Sequence, residues 1–149
     1  MDSLEARAPN SSAEWEAYYE LRWRVLRAPW QPGGCDRDET DDTSIHRMVV
    51  REDGKVLAVG RLHRLDEDSG QIRYMAVESS CERRGYGTLV LGALEQAAAE
   101  IGIEKIILHA RERAVAFYER HGYTTIEPSF LLFDEIQHYL MTKNLGTPT

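Results

Sequence analysis

The sequence predicts a mixed α/β (α+β) fold, with a predominantly antiparallel central sheet flanked by helices. Three observations carry that expectation. First, three β-prone runs, residues 46–52, 55–63 and 71–77, follow one another with only short turns between them. Second, the last of these runs passes through a loop holding Gly85 and Gly87 into a long segment of helical period. Third, another buried run at 104–109, a short helix and one or two final strands follow. A dinucleotide-binding fold would open instead on alternating strands and helices.

In chain order, residues 1–10 are expected to form a loose arm or a short edge strand. Ser11-Ser12-Ala13-Glu14 has capping-box spacing, with Glu14 expected to reach back to the Ser11 backbone. Trp15, Tyr18, Tyr19, Leu21, Val25 and Leu26 then share the apolar side of a helix ending near Arg27. Pro29, Pro32, Gly33 and Gly34 stop it and open a loop rich in acid: Asp36, Asp38, Glu39, Asp41 and Asp42 against Arg37 alone. Such a loop is either a solvated surface or a wall that attracts a cationic amine. It lacks the glycine and closing glutamate of an EF-hand, which argues against calcium.

Asp53-Gly54 between two β-prone runs predicts a type I′ hairpin. Residues 66–70 make the next turn. Ile72 to Val77 reads as a buried strand, and Val90, Leu94, Ala97, Ala98 and Ile101 fall at helical spacing, with Gly102 at the C′ position. Ile106, Ile107 and Leu108 mark the next buried strand. A short helix over 111–121 stops at Gly122. Strands at 123–126, 129–133 and 136–143 close the chain, interrupted by Pro128 and an Asp134-Glu135 turn.

The chain has 149 residues, 42% hydrophobic and 29% charged, which suits one soluble domain. Its net charge of −7 argues against nucleic acid as a partner. No apolar run reaches the ~18–20 residues of a membrane span, and the acidic start is unlike a secretory signal. Two cysteines, Cys35 and Cys81, are too few for a disulfide scaffold or a four-ligand metal site, so no metal is expected and a cytoplasmic location is.

The strand-to-helix junction has a chemical use. A helix N-terminus presents unpartnered N–H groups and partial positive charge, glycine lets backbone approach a phosphate, and Arg83 and Arg84 add charge-assisted donors. The Walker A pattern is absent, and Val90 stands where a dinucleotide fingerprint needs a third small residue.

The run Val77…Arg84-Gly85-Tyr86-Gly87 resembles motif A of the GNAT acyltransferase superfamily, [QR]-x-x-G-x-[GA] at a strand-to-helix junction, with Glu82 where Gln or Arg is usual. The segment 114–123, Ala-Val-Ala-Phe-Tyr-Glu-Arg-His-Gly-Tyr, is similar to motif B, A-x-x-F-Y-x-x-x-G-[FY], at the family's distance from motif A. Arg111 stands where that family often has Asn. The resemblance covers about residues 13–143 of a single domain, 1–149, and Leu21-Arg22, Cys35, Asp41-Asp42 and residues 136–141 look like the ElaA-like branch.

That resemblance implies an acetyl-coenzyme A-dependent N-acetyltransferase, acting by direct transfer on a small-molecule or peptide amine. It implies that Arg83, Arg84, Gly85, Tyr86, Gly87 and Thr88 hold the pyrophosphate, that the backbone of Met75, Ala76 and Val77 pairs with the pantetheine arm, and that Tyr118 protonates the departing thiolate. A phenol, with an ordinary pKa near 10, carries its proton at neutral pH and suits that role. Cys81 has no Cys/His/Asn constellation to serve as nucleophile. His63, His109, His138, Glu67, Asp134 and Glu135 are candidates for the base, His138 first. A catalytically degenerate acyl-coenzyme A-binding module is the alternative, and a homodimer is left open.

Overall fold

The computed structural model describes residues 4–27 and 40–146. They form one seven-stranded sheet in the order β1-β2-β3-β4-β5-β7-β6, from β1 (Ala6–Arg7), β2 (Ile45–Val50), β3 (Val56–Arg64), β4 (Ser69–Val77), β5 (Lys105–Arg111), β6 (Thr124–Leu132) and β7 (Ile136–Asn144). Every neighbouring pair is antiparallel except β4 and β5. Helix α1 (Ser12–Leu26) packs on one face, where Tyr18, Leu21, Met48, Val59 and Ala76 meet. Helix α2 (Tyr86–Glu100) covers the other, over Leu62, Ile72, Ile106, Leu108 and Met141. The short α3 (Val115–Arg120) joins that second layer through Tyr118. The acid-rich segment 28–39 lies outside the described residues.

Local chemistry explains most of the ends. Ser11 caps α1, its hydroxyl accepting from Glu14 N at 3.2 Å. Glu14 reaches one residue further back than expected: its carboxylate accepts from Asn10 N at 2.9 Å and pairs with both Arg7 nitrogens. Gly102 ends α2 as expected, at φ +83°, with Ile103 N bonded to Ala98 O and Gly102 N to Ala99 O. The helix expected over 111–121 is shorter, because β5 runs on to Arg111 and a single 3-10 turn precedes α3. The last strands also differ: β6 continues through Pro128 at the sheet edge, where a missing N–H costs no ladder bond.

The β2–β3 turn departs from the type I′ that Asp53-Gly54 predicts. At the β2–β3 turn only Gly54 has positive φ, so the turn is closed by one left-handed glycine and is not type I′. The two consecutive positive-φ residues are Phe133 (+54°) and Asp134 (+58°), in the β6–β7 turn. Bulky Phe133 gives no sequence signal for that conformation.

Asp41 is where the structure departs furthest from the sequence reading. It is 3% exposed, and its carboxylate takes both Arg22 nitrogens at 2.9 and 3.0 Å and Arg61 Nη1 at 3.0 Å; both arginines are fully buried. This carboxylate is bound inside the fold, where it cannot form a wall for a cationic ligand. Replacing Asp41 by Asn leaves two buried guanidinium groups short of their anion, and should lower unfolding free energy by about 3–5 kcal/mol. Urea unfolding measures it, with Asp53→Asn, which breaks the surface pair to Arg51 at 2.7 Å, showing a far smaller change.

Candidate active site

β4 and β5 are hydrogen-bonded only from Ser69↔Lys105 to Ile72↔Leu108. Beyond that point β4 runs to Val77 and β5 to Arg111 without pairing to each other. The cause lies in β4. Between Arg61↔Arg73 and Val59↔Ala76, β3 contributes one residue and β4 two, Tyr74 and Met75, with Tyr74 at φ +60°. An extra residue bends its strand and increases the twist, so β4 leaves β5. Gly60 stands opposite, and only glycine fits there: a Cβ would fall 2.7 Å from Val90 Cγ1 and 3.0 Å from Leu94 Cδ1.

The parted strands open a cleft of about 990 Å³, lined from both faces of the sheet. On the α2 side stand Met75, Val77, residues 81–83 and 85–88, Phe117, Tyr118 and His121. On the α1 side stand Tyr74, Arg27 and, from β5 and β7, His109, Arg111 and His138. Thus Met75, Ala76, Val77, Arg83, Gly85, Tyr86, Gly87, Thr88 and Tyr118 all line one cavity; Arg84 is exposed and does not. Of the other base candidates, His63, Glu67, Asp134 and Glu135 lie off the cleft, while His109 and His138 line it.

The loop before α2 is shaped for a phosphate. Arg83 and Gly85 are both left-handed, at φ +68° and +86°. Holding an arginine so costs about 1–3 kcal/mol, a strain found at ligand-binding turns. Gly85 is the N-cap of α2 and no side chain caps it, leaving the first-turn N–H groups open toward the cleft. Gly87 is buried beside Phe117 and Val77, where a Cβ would make ordinary contacts at 3.4 Å. Thr88 Oγ1 meets His121 Nε2 at 3.0 Å and ties α2 to the end of α3. The edge of β4 from Met75 to Val77 has no ladder partner on its β5 side, so its backbone groups face the gap. These features fit an extended ligand with amides at its centre and phosphates at one end.

Charge agrees. The lining holds Arg27, Arg73, Arg83, Arg111, Arg113 and Arg120, and among the described residues Glu82 is its one carboxylate. Burial, with Arg27 and Arg113 nearby, brings Arg111 down to about 10. Arg111 also donates to Leu26 O at 2.8 Å, closing the cleft against the end of α1. Of the acid-rich loop, the described Asp41 and Asp42 do not line the cleft.

Tyr118 is 6% exposed, and burial pushes its phenol well above the ordinary range, so it is fully protonated at neutral pH. Phe117 and Tyr123 pack edge-on against it at 5.1 and 5.6 Å. Its hydroxyl has no hydrogen-bond partner among the described residues and is available to donate into the cleft. The sequence reading missed Arg27, Arg73, Arg113, Arg120, His121 and Phe130 in the lining. A basic residue on a strand or helix end carries no mark of which face it joins. Only Arg120 and His121, both inside the 114–123 run of motif B, stood within a recognised pattern.

Comparison with known proteins agrees with this geometry. Residues 15–123 match the model of the acetyltransferase (GNAT) family. An uncharacterised N-acetyltransferase of Bacillus subtilis, YjcF, is 31% identical over 92% of this chain and 96% of its own. The structure of an aminoglycoside 6′-N-acetyltransferase complexed with coenzyme A superposes with a TM-score of 0.81 over 99% of both chains, at 13% identity. Escherichia coli ElaA does so at 0.71, over 95% of this chain and all of its own, at 15% identity, a likeness of fold. A cleft where a bulged strand parts from its parallel neighbour, a glycine loop at a helix start and a buried tyrosine beside it, together with these matches, place the chain in the acetyltransferase (GNAT) family, enzymes that transfer an acetyl group from acetyl-coenzyme A.

Proposed function

We propose that this chain acetylates a primary amine by direct attack on the thioester of acetyl-coenzyme A, with Tyr118 as the proton donor to the departing thiolate. The observation that carries the reading is the unbonded Tyr118 hydroxyl at the cleft between β4 and β5. The Met75–Val77 edge would hold the pantetheine amides, and the N–H groups of 86–88 with Arg83 the pyrophosphate. The Tyr118 O–H then lies on the side of the gap shared with the glycine loop, where it can meet the sulfur. A proton delivered there is drawn most strongly as negative charge builds on sulfur, so the hydroxyl favours the transition state over bound substrate.

Isothermal titration with acetyl-coenzyme A tests the first part, and absence of binding at millimolar ligand by folded protein would remove it. An acceptor panel of amines tests the second. Binding without turnover on any acceptor would favour a degenerate acyl-coenzyme A-binding protein. Tyr118→Phe should lower kcat by about 10²-fold while leaving acetyl-coenzyme A affinity nearly unchanged. An unaltered rate, with chemistry limiting, assigns the ring to packing alone. Glu82→Gln should act in the opposite direction. Glu82 is exposed and unpaired among the described residues at the phosphate end, so removing its charge should tighten coenzyme A binding about two- to fivefold, equivalent to ~0.3–1 kcal/mol. Calorimetry at low and high salt checks it, with the gain shrinking as salt rises.

A further inference from the structure

Three imidazoles line the cleft, and their surroundings separate them. His121 stands at the glycine-loop end with its Nε2 bonded to Thr88. His109 has its Nδ1 sealed from solvent without a hydrogen-bond partner among the described residues, so no bond fixes which of its nitrogens carries the proton. His138 differs from both. Its Nδ1 lies 3.0 Å from Ile136 O; a carbonyl only accepts, so Nδ1 carries the proton and Nε2 the lone pair. Nε2 has no partner among the described residues and is not sealed from solvent. The ring is 6% exposed and stacked on Phe130 at 4.3 Å and 14°, which holds the lone pair in one direction.

Its place in the sheet complements that of Tyr118. Ile106, Leu108 and Ala110 of β5 face α2, so His109 and Arg111 face α1, and His138 faces that way too, as the register partner of Arg111. The phenol and this imidazole therefore meet the gap from opposite faces. The one carboxylate of the described lining, Glu82, belongs to the glycine-loop end and offers no base on the α1 side.

We propose that His138 Nε2 is the proton acceptor for the incoming amine. The proposal rests on the acetyl-transfer reading above. The amine arrives as an ammonium and gives one proton to Nε2. Its nitrogen then forms a bond to the thioester carbonyl carbon as the carbon–sulfur bond breaks. Sulfur takes the Tyr118 proton, the amine's second proton restores the phenol, and His138 passes its own to solvent, so one proton is released overall.

The groups facing His138 keep it neutral. Burial lowers its pKa first, and Arg111 and His109 on β5 and Arg27 at the end of α1 add to that; the Ile136 carbonyl opposes them, and Phe130 on β6 is uncharged. With its pKa lowered, the imidazole keeps its lone pair at neutral pH and loses it only below the ordinary histidine range.

The test has two arms. In the wild-type protein, long-range ¹H–¹⁵N spectra should show His138 as the Nδ1–H tautomer at pH 7, titrating below the ordinary value of about 6.5. An Nε2–H tautomer, or an imidazolium at pH 7, overturns the proposal without any variant. In the second arm, His138→Gln should keep acetyl-coenzyme A affinity within about twofold but lose about 10²-fold in kcat/KM at pH 7. That deficit should narrow toward the amine's own pKa, because a free amine needs no base. An undiminished kcat/KM, or a deficit equal at every pH, overturns the role. A wild-type protein that fails to bind acetyl-coenzyme A is a separate result, seen before either arm, and removes the acetyl-transfer reading along with this one.

Discussion

The constraint on which the rest of the structure depends is one extra residue in β4. Ile72 and Met75 both face α2, with Arg73 and Tyr74 between them, so the two-residue alternation of the strand is broken once. Without that break the parallel ladder to β5 would continue past Leu108 and the sheet would be closed. With it, backbone groups of Met75 to Val77 stand without strand partners at the edge of a gap. Backbone polar groups demand partners, so an amide-bearing chain laid along this edge meets donors and acceptors already in place.

Keeping Tyr74 left-handed costs about 1–2 kcal/mol, and its surroundings show what offsets it. The Arg22 guanidinium lies 3.7 Å from the ring centroid, with Arg61 and Arg73 at 4.8 Å and Arg27 at 5.6 Å. Cations over a ring face contribute about 0.5–2 kcal/mol each where water is displaced. Arg22 and Arg61 are oriented by Asp41, and His46 bonds the Asp41 carbonyl at 2.8 Å while contacting the Tyr18 hydroxyl at 2.7 Å. The start of β2, the middle of α1 and the bulge of β4 are thereby one polar unit beneath the α1 side of the cleft. A buried ion cluster is seldom a net gain in stability. Its use here is positional, since it fixes the ring that borders the site.

Net charge says little about such a protein. The chain carries −7, yet several of its 25 acids are engaged by cations: Glu14 with Arg7, Glu78 with Arg24, Asp53 with Arg51, Glu95 with Lys143, and Asp41 in the interior. Arginines are gathered at the cleft. The same gathering serves two ends. At the glycine loop it complements phosphates; on the α1 side it adds to burial, the larger cause, in holding His109 and His138 below the usual histidine range. One electrostatic arrangement thus favours an anionic donor and a neutral imidazole.

Much of the fold was legible in the sequence because its signals are local. The β-prone apolar run at 71–77, the period of 3.6 after Gly87, the cap at Ser11 and the stops at Gly102 and Gly122 each depend on neighbours a few residues away, and each element stands where those signals put it. The two motifs, read together, marked the family and gathered nine of ten expected cleft residues, all but Arg84. What the sequence could not carry were choices made between distant segments. A tyrosine in the left-handed region has no local signature, and neither does the splay it produces. Asp41 reads as one more solvated acid until Arg22 and Arg61, 19 and 20 residues away, are folded onto it. His138 is one of five histidines until β5, β6 and β7 bond one nitrogen, stack the ring and leave the other nitrogen open. Periodicity is a property of the chain and survives in the sequence; partnership belongs to the packed structure, where burial decides which charges must pair and which proton a ring can hold.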